Sequence, residues 1–447
     1  MGMNIEADYV VIGSGAMGMA FTDEILTHSD ATVALIDAHG APGGHWNDAY
    51  PYVRLHQPSF FYGVGSTDLG SNRIDAVGWN AGLSELACGH EVCAYFDQVM
   101  QRRFLPSGRV QYYPATTYAD GTATNTHSGQ QHRVTARRAR VDATYMNVAV
   151  PSVQPPRYRV DADVRLIPPN ALPTSARPLD GYTVIGAGKT AMDAVLWLLA
   201  RQVDPDAITW ITPRDSWLLY RETTQPGDGF RMRDHMRFVA EQGSATAVFE
   251  ALEAAEYLAR IEPSVTPTMY RCATVSAMEL EQLRRVTQIV RMGRVQQVSR
   301  SGLTLDDGVL PRGADTLFID CTADGLTARP AVPVFAEGAL TLQTVRACQQ
   351  VFSAALIARV ETLPDLTLKE KEPAHGRHSA SGYAPGLLHQ RPEAHQQHDA
   401  MESERNAHAV ADREPPGSQH RKHRPRRSSD DHERGYQSDH LYSRRLT

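Results

Sequence analysis

The stretch ADYVVIGSGAMGMAFTDEILTHSDATVALID, residues Ala7 to Asp37, predicts a strand, a glycine turn, a helix and a second strand. Its run YVVI is apolar and short, as in a strand buried on both faces. Gly13, Gly15 and Gly18 follow at a spacing with a distinct use for each glycine. The first permits a tight turn, the second lets backbone approach a pyrophosphate, and the third brings the helix close to the strand. The free N–H groups at the start of that helix form an anion site.

Asp37 closes the second strand roughly 20 residues after the glycines. An acid in this place accepts hydrogen bonds from a ribose. Glycines alone are typical of many turns, but here the strand, turn, helix, second strand and acid all occur in order. The stretch therefore predicts an adenine-dinucleotide site. Its predicted binding residues are Gly13, Ser14, Gly15, Ala16, Met17, Gly18 and Asp37.

The middle of the chain repeats this pattern. The run YTVI predicts a strand, and Gly186, Gly188 and Ala191 occupy the three glycine positions, the last with a tolerated alanine. The letters Gly-Lys-Thr in this turn resemble a P-loop. That motif needs a glycine five residues before Gly188, where Thr183 stands, so we reject it.

The second copy differs from the first at the ribose position. Its second strand, predicted over Ala207 to Ile211, is followed by Thr-Pro and Arg214 instead of an acid. A positive charge there favours a 2′-phosphate, and hence NADP over NAD, while the alternative is a solvated surface arginine. The predicted binding residues of this copy are Gly186, Gly188, Lys189, Thr190, Ala191 and Arg214.

A long loop rich in glycine, proline and aromatic residues follows Asp37. Gly44 lets backbone approach a flat ligand, and His45, Trp46 and His56 offer rings and polar atoms beside it. We take His56 as the candidate catalytic residue. The alternative is that these rings only pack beneath the loop, since a single histidine is weak evidence of chemistry.

The bulk composition limits the class of protein. The chain has 447 residues, is 42% hydrophobic and carries a net charge of -6, which gives no global electrostatic case for nucleic acid or an anionic membrane. Five cysteines without metal-type spacing fit a reducing cytoplasm, and no metal site is predicted. No signal sequence or long apolar run is evident. The sequence predicts a cytoplasmic protein without a membrane anchor; its oligomeric state stays open.

The fold class expected is α/β, with two Rossmann-type dinucleotide-binding domains, a β-meander insertion over Arg109 to Val150 and a disordered C-terminal tail. The tail contains ten of the 18 histidines and lacks apolar periodicity, which leaves a native tail and a shifted reading frame as alternatives. The expected parts are a first domain over 1–175, a second domain over 176–312, a returning part of the first domain over 313–363 and the tail over 364–447.

Several segments together resemble the flavin-containing and Baeyer-Villiger monooxygenase group. They are GSGAMG, GGHW, AYPYVRLHQPS, VDATYMNVAVPS, VIGAGKTAMDA and LFIDCTADG. The resemblance implies FAD on the first glycine motif and NADPH on the second, with His45 and Trp46 near the flavin. It adds Asp320 of LFIDCTADG to the cofactor-binding residues. A helix predicted to begin near Gln343 and Thr344 would present N–H groups to the flavin ring.

The chain departs from this group in two places. The fingerprint FxGxxxHxxx should precede the second glycine motif, yet VRLIPPNALPTSARPLD has neither its glycine nor its histidine. The aspartate of the YPGxRxD segment corresponds to His56. We therefore expect an FAD enzyme reduced by NADPH, with oxygen as the next acceptor and a small organic substrate. The alternatives are a reductase of an organic or disulfide acceptor, and a non-catalytic or truncated flavin-binding protein.

Overall fold

The computed structural model describes residues 4–146, 148, 150–227, 237–238, 240–323, 329–330, 332–346, 348–364 and 366–371. All of them fall within one compact unit, Met1–Leu388. The predicted disordered tail lies outside the described residues from residue 372 onward. Its first residues are described and include a short helix.

The strands in chain order are β1 Ile5–Ile12, β2 Val33–Ile36, β3 Val110–Tyr113, β4 Thr116–Ala119, β5 Thr122–Asn125, β6 Gln131–Asp142, β7 Arg159–Val160, β8 Leu166–Ile167, β9 Tyr182–Ile185, β10 Ile208–Ile211, β11 Ser216–Tyr220, β12 Leu258–Ala259, β13 Met269–Val275, β14 Ile289–Val290, β15 Val295–Ser299, β16 Gly302–Leu305, β17 Gly308–Pro311, β18 Leu317–Asp320, β19 Phe335–Ala336 and β20 Ala339–Thr341. The α-helices are α1 Ala16–His28, α2 Gly89–Val99, α3 Lys189–Ala200, α4 Ala245–Ala254, α5 Ala277–Leu283, α6 Gln350–Glu361 and α7 Leu368–Lys371.

The first glycine motif lies in a mainly parallel sheet. Its parallel strands have the order β3-β2-β1-β6-β20, so β1 is central and the chain order reverses between β1 and β6. Helices α1, α2 and α6 contribute to the core against this sheet, around Phe21, Phe96 and Ile357. The predicted strand-turn-helix-strand order over residues 7–37 is confirmed.

The second glycine motif lies in another parallel sheet with the same kind of order, β14-β10-β9-β18-β8. Its central strand β9 precedes the glycine turn, and the order reverses between β9 and β18. In open α/β sheets of this kind, ligands bind at the carboxyl ends of the strands beside such a reversal. Two smaller sheets, β12-β11-β13 and β17-β16-β15-β7, complete this half of the fold.

Three expectations need correction. The meander is β4-β5-β6, and β3 belongs to the parallel sheet. No strand forms over the described part of residues 143–150, because the Asp142 side chain accepts the Thr144 N–H at 2.8 Å and ends β6 in a turn. Strand β18 pairs with β9, so it lies in the second sheet and not in a part returning to the first.

Sheet membership also shifts the other expected boundaries. Strands β7 and β8 precede residue 176 but pair with β15 and β18, two strands of the second half. The chain rejoins the first sheet at β19 and β20. Helix α7 lies inside the expected tail. The Lys371 ammonium of this helix forms a salt bridge of 2.9 Å with the Glu361 carboxylate of α6. No helix of the described residues is long and apolar enough to span a membrane.

Candidate functional site

The first glycine turn is packed so closely that side chains are excluded. Gly13 has a φ of +103°, and a Cβ on Gly18 would stand 1.9 Å from the Gly13 carbonyl oxygen. Helix α1 therefore lies directly on the end of β1, as predicted for the third glycine. The helix has no side-chain cap and no acid in its first turn, so its first N–H groups keep their capacity for an anion. Ala16 and Met17 open this helix, with Met17 buried.

The loop after β2 returns to this turn. Gly43 donates its N–H to the Ser14 carbonyl at 3.0 Å, and a Cβ on Gly44 would stand 2.9 Å from the Gly15 Cα. Two glycine backbones thus meet beside the uncapped start of α1. At Gly44 only glycine permits this approach, and the contact that requires it is with the backbone of the first glycine turn.

Asp37 is buried and its carboxylate is already well hydrogen-bonded. Oδ2 accepts the Ser14 N–H and, at 2.8 Å, the Ser14 hydroxyl, while Oδ1 accepts the His39 N–H at 2.7 Å. The His39 ring bridges Asp37 and Asp48, with nitrogen–oxygen distances of 3.1 and 2.8 Å. Burial lowers the pKa of His39, but the hydrogen bonds and charges of the two aspartates outweigh burial and raise it. A ribose would share Asp37 with these partners, of which the sequence analysis missed His39.

The second glycine turn is built in the same way. Gly186 has a φ of +135°, and a Cβ there would stand 2.6 Å from the Cys321 carbonyl oxygen. The Gly186 carbonyl accepts the Trp210 indole N–H at 2.7 Å. Helix α3 begins after Gly188 without a side-chain cap, and a Cβ on Gly188 would meet nothing within 4 Å. The turn therefore offers open space and free N–H groups together, with Ala191 buried beneath it.

Arg214 follows β10 and is exposed. Among the described residues, no carboxylate forms an ion pair with it. The neighbouring Asp215 is buried and is held by Arg291, at 2.8 and 3.0 Å. Thr190 is half-buried in the first turn of α3. The position that Asp37 takes directly after β2 is taken by the buried Thr212 after β10, and the exposed Arg214 follows two residues later.

Lys189, one of the predicted cofactor-binding residues, is paired within its own helix. Its ammonium forms an ion pair with Asp193 one helical turn later, and Asp193 also accepts the Tyr50 hydroxyl at 2.6 Å. Burial raises the pKa of Asp193, against the attraction of Lys189. Tyr50 belongs to the loop after Gly44, so this network connects the loop to the second glycine helix.

His56 lies between charged residues and is neutral. Its Nδ1 accepts the Thr274 backbone N–H at 3.3 Å, which leaves the proton on Nε2. Burial, followed by the positive charges of Lys189 and Arg221, lowers its pKa to about 3. His56 is therefore suited to donate a hydrogen bond rather than to accept a proton. The structure brings His56 near Lys189, which is another of the predicted site residues.

Arg221 is fully buried and was missed by the sequence analysis. Its guanidinium donates to the His56 carbonyl at 2.9 Å, to Asn80 Oδ1 at 2.9 Å and to Glu279 Oε2 at 2.7 Å. Burial raises the pKa of Glu279, but Lys189 and Arg221 outweigh burial and lower it. These partners are far apart in sequence, so no local pattern indicates that they meet.

The remaining aromatic residues of the loop connect the two halves. The His45 and Trp46 rings lie 5.3 Å apart, and burial lowers the pKa of His45 to about 4. Trp46 packs on the core of the first sheet, which also fits the alternative of a packing role. The Tyr52 ring lies 5.5 Å from the ring of Trp197 of α3, tilted by 34°. The loop thus contacts the first glycine turn and the second glycine helix.

Asp320 has a counterpart that sequence analysis did not single out. Asp320 ends β18 and accepts the Thr322 N–H and hydroxyl at 3.1 and 2.7 Å. Asp142 ends β6 and accepts the same two groups of Thr144 at 2.8 and 2.7 Å. Each turn lies beside its glycine strand, at the point where the strand order reverses. The sequence did contain an indication of this similarity, because Asp-Ala-Thr begins at Asp142 and Asp-Cys-Thr begins at Asp320.

A cavity of about 380 Å³ lies beside Asp320. It is lined by Pro151, Ser152, Val153, Gln154, Pro155, Pro156, Leu166, Pro168 and Asp320. The cavity lies next to the carboxyl end of β18, where a ligand of the second sheet is expected.

The helix expected near Gln343 and Thr344 begins later, at Gln350, so that prediction is wrong. Leu340 and Leu342 are buried in an extended segment that includes β20, and Gln343 donates to the Val332 carbonyl at 2.9 Å. Gln343 and Thr344 therefore precede the helix as loop residues and cannot offer its N-terminal N–H groups.

The fold is similar to that of flavoprotein monooxygenases. Steroid monooxygenase bound to NADP has a TM-score of 0.51 and 14% identity, over 80% of this chain and 84% of that one. Polycyclic ketone monooxygenase from Thermothelomyces thermophila has a TM-score of 0.51 and 12% identity, over 81% and 76%. Cyclohexanone monooxygenase with bound epsilon-caprolactone has a TM-score of 0.51 and 14% identity, over 86% and 97%. At these identities the likeness concerns the fold alone.

The chain belongs to the family of the mycobacterial proteins Rv2000 and Mb2023. Uncharacterized protein Rv2000 of Mycobacterium tuberculosis is 54% identical over 363 residues, which is 80% of this chain and 67% of the relative. Uncharacterized protein Mb2023 of Mycobacterium bovis matches to the same extent. No protein-family profile matches the chain.

Proposed function

We propose that this protein is an FAD-dependent oxidoreductase that takes its electrons from NADPH, and that its two parallel sheets are the cores of two Rossmann-type domains. The observation that carries the proposal is the loop after β2. It contacts the first glycine turn through Gly44, the second glycine helix through Tyr50, and the buried Arg221 through His56. A loop placed in this way can serve a reaction between two dinucleotides, since such a reaction requires that their reactive ends meet.

The first turn fits the ADP half of FAD. Gly13, Gly15 and Gly18 provide a backbone cradle with an uncapped helix start, which suits a pyrophosphate. Gly44 closes the cradle from the other side. Asp37 would accept from the ribose, provided that Ser14 or His39 gives up a hydrogen bond. His45 and Trp46 are proposed to lie towards the flavin.

The second turn fits NADPH. Gly188 leaves open space before α3, and Arg214 offers an exposed guanidinium for the 2′-phosphate. Asp320 and its cavity would receive the nicotinamide half, because they lie across the strand reversal from Arg214. Lys189 contributes charge rather than a phosphate contact, because Asp193 holds its ammonium.

FAD, when bound, accepts a hydride from NADPH and passes electrons onward; we propose molecular oxygen as the acceptor and a small organic molecule as the substrate, as in a monooxygenase. His56 would supply a neutral Nε2–H donor. Lys189 and Arg221 would add a positive field around it, which stabilises negative charge that develops nearby. His56 is thus proposed as a hydrogen-bond donor and not as a base.

The test is to supply the full-length, FAD-loaded protein with NADPH, oxygen and a panel of sulfides, amines and ketones. NADPH consumption, oxygenated product and hydrogen peroxide are measured together. We expect product in a fixed ratio to NADPH for at least one substrate class, and loss of that ratio in His56→Leu. A protein that refuses added FAD would contradict the whole proposal.

The missing FxGxxxHxxx fingerprint favours a second candidate, an NADPH-dependent reductase without oxygen insertion. NADPH consumption that yields only peroxide across the panel would support this candidate and contradict the monooxygenase part. The domain assignment and both cofactors would then stand, because they depend on different residues.

A further inference from the structure

Two cysteines that are distant in sequence meet in the folded chain. Cys272 lies on β13, and Cys348 lies just before α6. The two thiols interact, and the interaction raises the pKa of Cys272 and lowers the pKa of Cys348. Both also adjoin one apolar cluster, which includes Trp217 and Tyr270. The pair therefore joins the small β12-β11-β13 sheet to the segment that leads into the first domain's last helix.

The backbone at Cys272 is strained. Its φ is +55°, in the left-handed region that a residue with a Cβ seldom adopts. The register of β11 and β13 shifts at the same place, since Trp217 pairs with Tyr270 but Leu219 pairs with Thr274. Bulges of this kind re-aim a side chain and occur beside functional sites. Here the bulge carries the thiol that interacts with Cys348.

We propose that Cys272 and Cys348 are a peroxide-reactive dithiol that forms a reversible disulfide. The Cys348 thiolate attacks a hydroperoxide and becomes a sulfenic acid, and one water (or alcohol) leaves with the released proton. The Cys272 sulfur then attacks that sulfenic sulfur, and a second water leaves. Two thiols and one hydroperoxide thus become a disulfide, and a thiol reductant reverses the step.

The environment supports this order of attack. The interaction with Cys272 lowers the pKa of Cys348 and favours its thiolate, and Cys348 is half-buried while Cys272 is buried. Cys321 differs, because burial raises its pKa well above the ordinary value. The peroxide has a source in the proposed function, although the dithiol does not depend on it.

The dithiol also lies near the candidate site. Tyr62 interacts electrostatically with both cysteines and with Arg221. Two residues after Cys272, the Thr274 N–H bonds His56. Disulfide formation would therefore cross-link a strand that contacts the candidate catalytic residue.

The test treats the full-length protein with a small excess of hydrogen peroxide, blocks free thiols with N-ethylmaleimide and maps the cysteines by mass spectrometry. We expect one cross-linked peptide containing Cys272 and Cys348, and its loss after dithiothreitol. In Cys272→Ser, dimedone should label Cys348; in Cys348→Ser, no cross-link should form. Cys93→Ser is the matched control and should oxidise as the wild type does.

The proposal would be overturned if both cysteines remain alkylated in oxidised wild-type protein, or if the cross-link joins Cys88 to Cys93 instead. This measurement on the wild type does not require either serine variant to fold. It also separates the dithiol from the proposed enzyme function, because peroxide is added and no cofactor turnover is needed.

Discussion

Arg214→Ala should weaken NADPH binding and leave NADH binding unchanged. The side chain is exposed at the end of β10, and among the described residues no carboxylate pairs with it. Its fork is therefore available for a 2′-phosphate, whereas NADH has only a hydroxyl there. The neighbouring Asp215 does not interfere, because Arg291 neutralises it through two hydrogen bonds.

The expected magnitude follows from the bond lost. A charged hydrogen bond contributes about 1.5 to 3 kcal/mol, and 1.4 kcal/mol corresponds to a tenfold change in Kd. NADPH affinity should therefore fall about 10- to 150-fold in Arg214→Ala. Arg214→Asp should weaken NADPH binding further, because the carboxylate repels the phosphate, and should favour NADH through the ribose hydroxyls.

The assay is titration of the FAD-loaded protein with NADPH and with NADH, followed by protein fluorescence. Arg201→Ala is the matched control, since Arg201 is also exposed but caps the far end of α3 and stacks on Trp197. It should bind both nucleotides as the wild type does. If Arg214→Ala leaves the ratio of the two Kd values unchanged, the assignment of the 2′-phosphate to this arginine is wrong.

Three further changes test the frame around the site. Gly18→Ala should destabilise the protein by about 1 to 3 kcal/mol and weaken FAD binding, because its Cβ would stand 1.9 Å from a carbonyl oxygen. Gly40→Ala is the control, since a Cβ there meets nothing within 4 Å, and equal urea midpoints for the two variants would refute the prediction. Burial, then Asp23, raises the pKa of Glu24 to about 7, so the folded carboxyl keeps its proton while the unfolded one loses it above pH 4.5, and stability falls as pH rises. The free energy of unfolding of Glu24→Gln should therefore exceed that of the wild type by up to about 3 kcal/mol at pH 8 and equal it at pH 4. A difference in unfolding free energy that does not depend on pH would contradict this. Arg221→Met should lower the free energy of unfolding by about 3 to 5 kcal/mol, and the double variant Arg221→Met with Glu279→Leu should recover part of this loss. A double variant as unstable as the single one would count against the buried ion pair.

The sequence was sufficient to predict those parts of the fold that depend on residues close together in the chain. The two glycine turns were predictable because each strand, turn and helix occurs in one short stretch, and Gly18 and Gly186 serve contacts that only glycine allows. The residues at which strands end were harder to predict. Asp142 ends β6 through its own side chain, while Leu340 and Leu342 belong to an extended segment although they precede a helix.

The candidate site itself depends on contacts between distant residues. Arg221 meets His56, Asn80 and Glu279 from four separate segments, and no spacing in the sequence relates them. An arginine in a polar stretch is usually solvent-exposed, so its complete burial could not be predicted. The same holds for Lys189, a predicted cofactor-binding residue, because its network with Asp193 and Tyr50 includes a residue far away in the sequence.

The most direct measurement of the central proposal is rapid anaerobic mixing of the full-length, FAD-loaded protein with NADPH. The visible absorbance of oxidised flavin should disappear with NADPH, and more slowly with NADH at the same concentration, because both glycine turns and Arg214 would hold the reacting pair. A protein that binds FAD but keeps its flavin oxidised with both nucleotides would contradict the proposal that this fold joins FAD to NADPH.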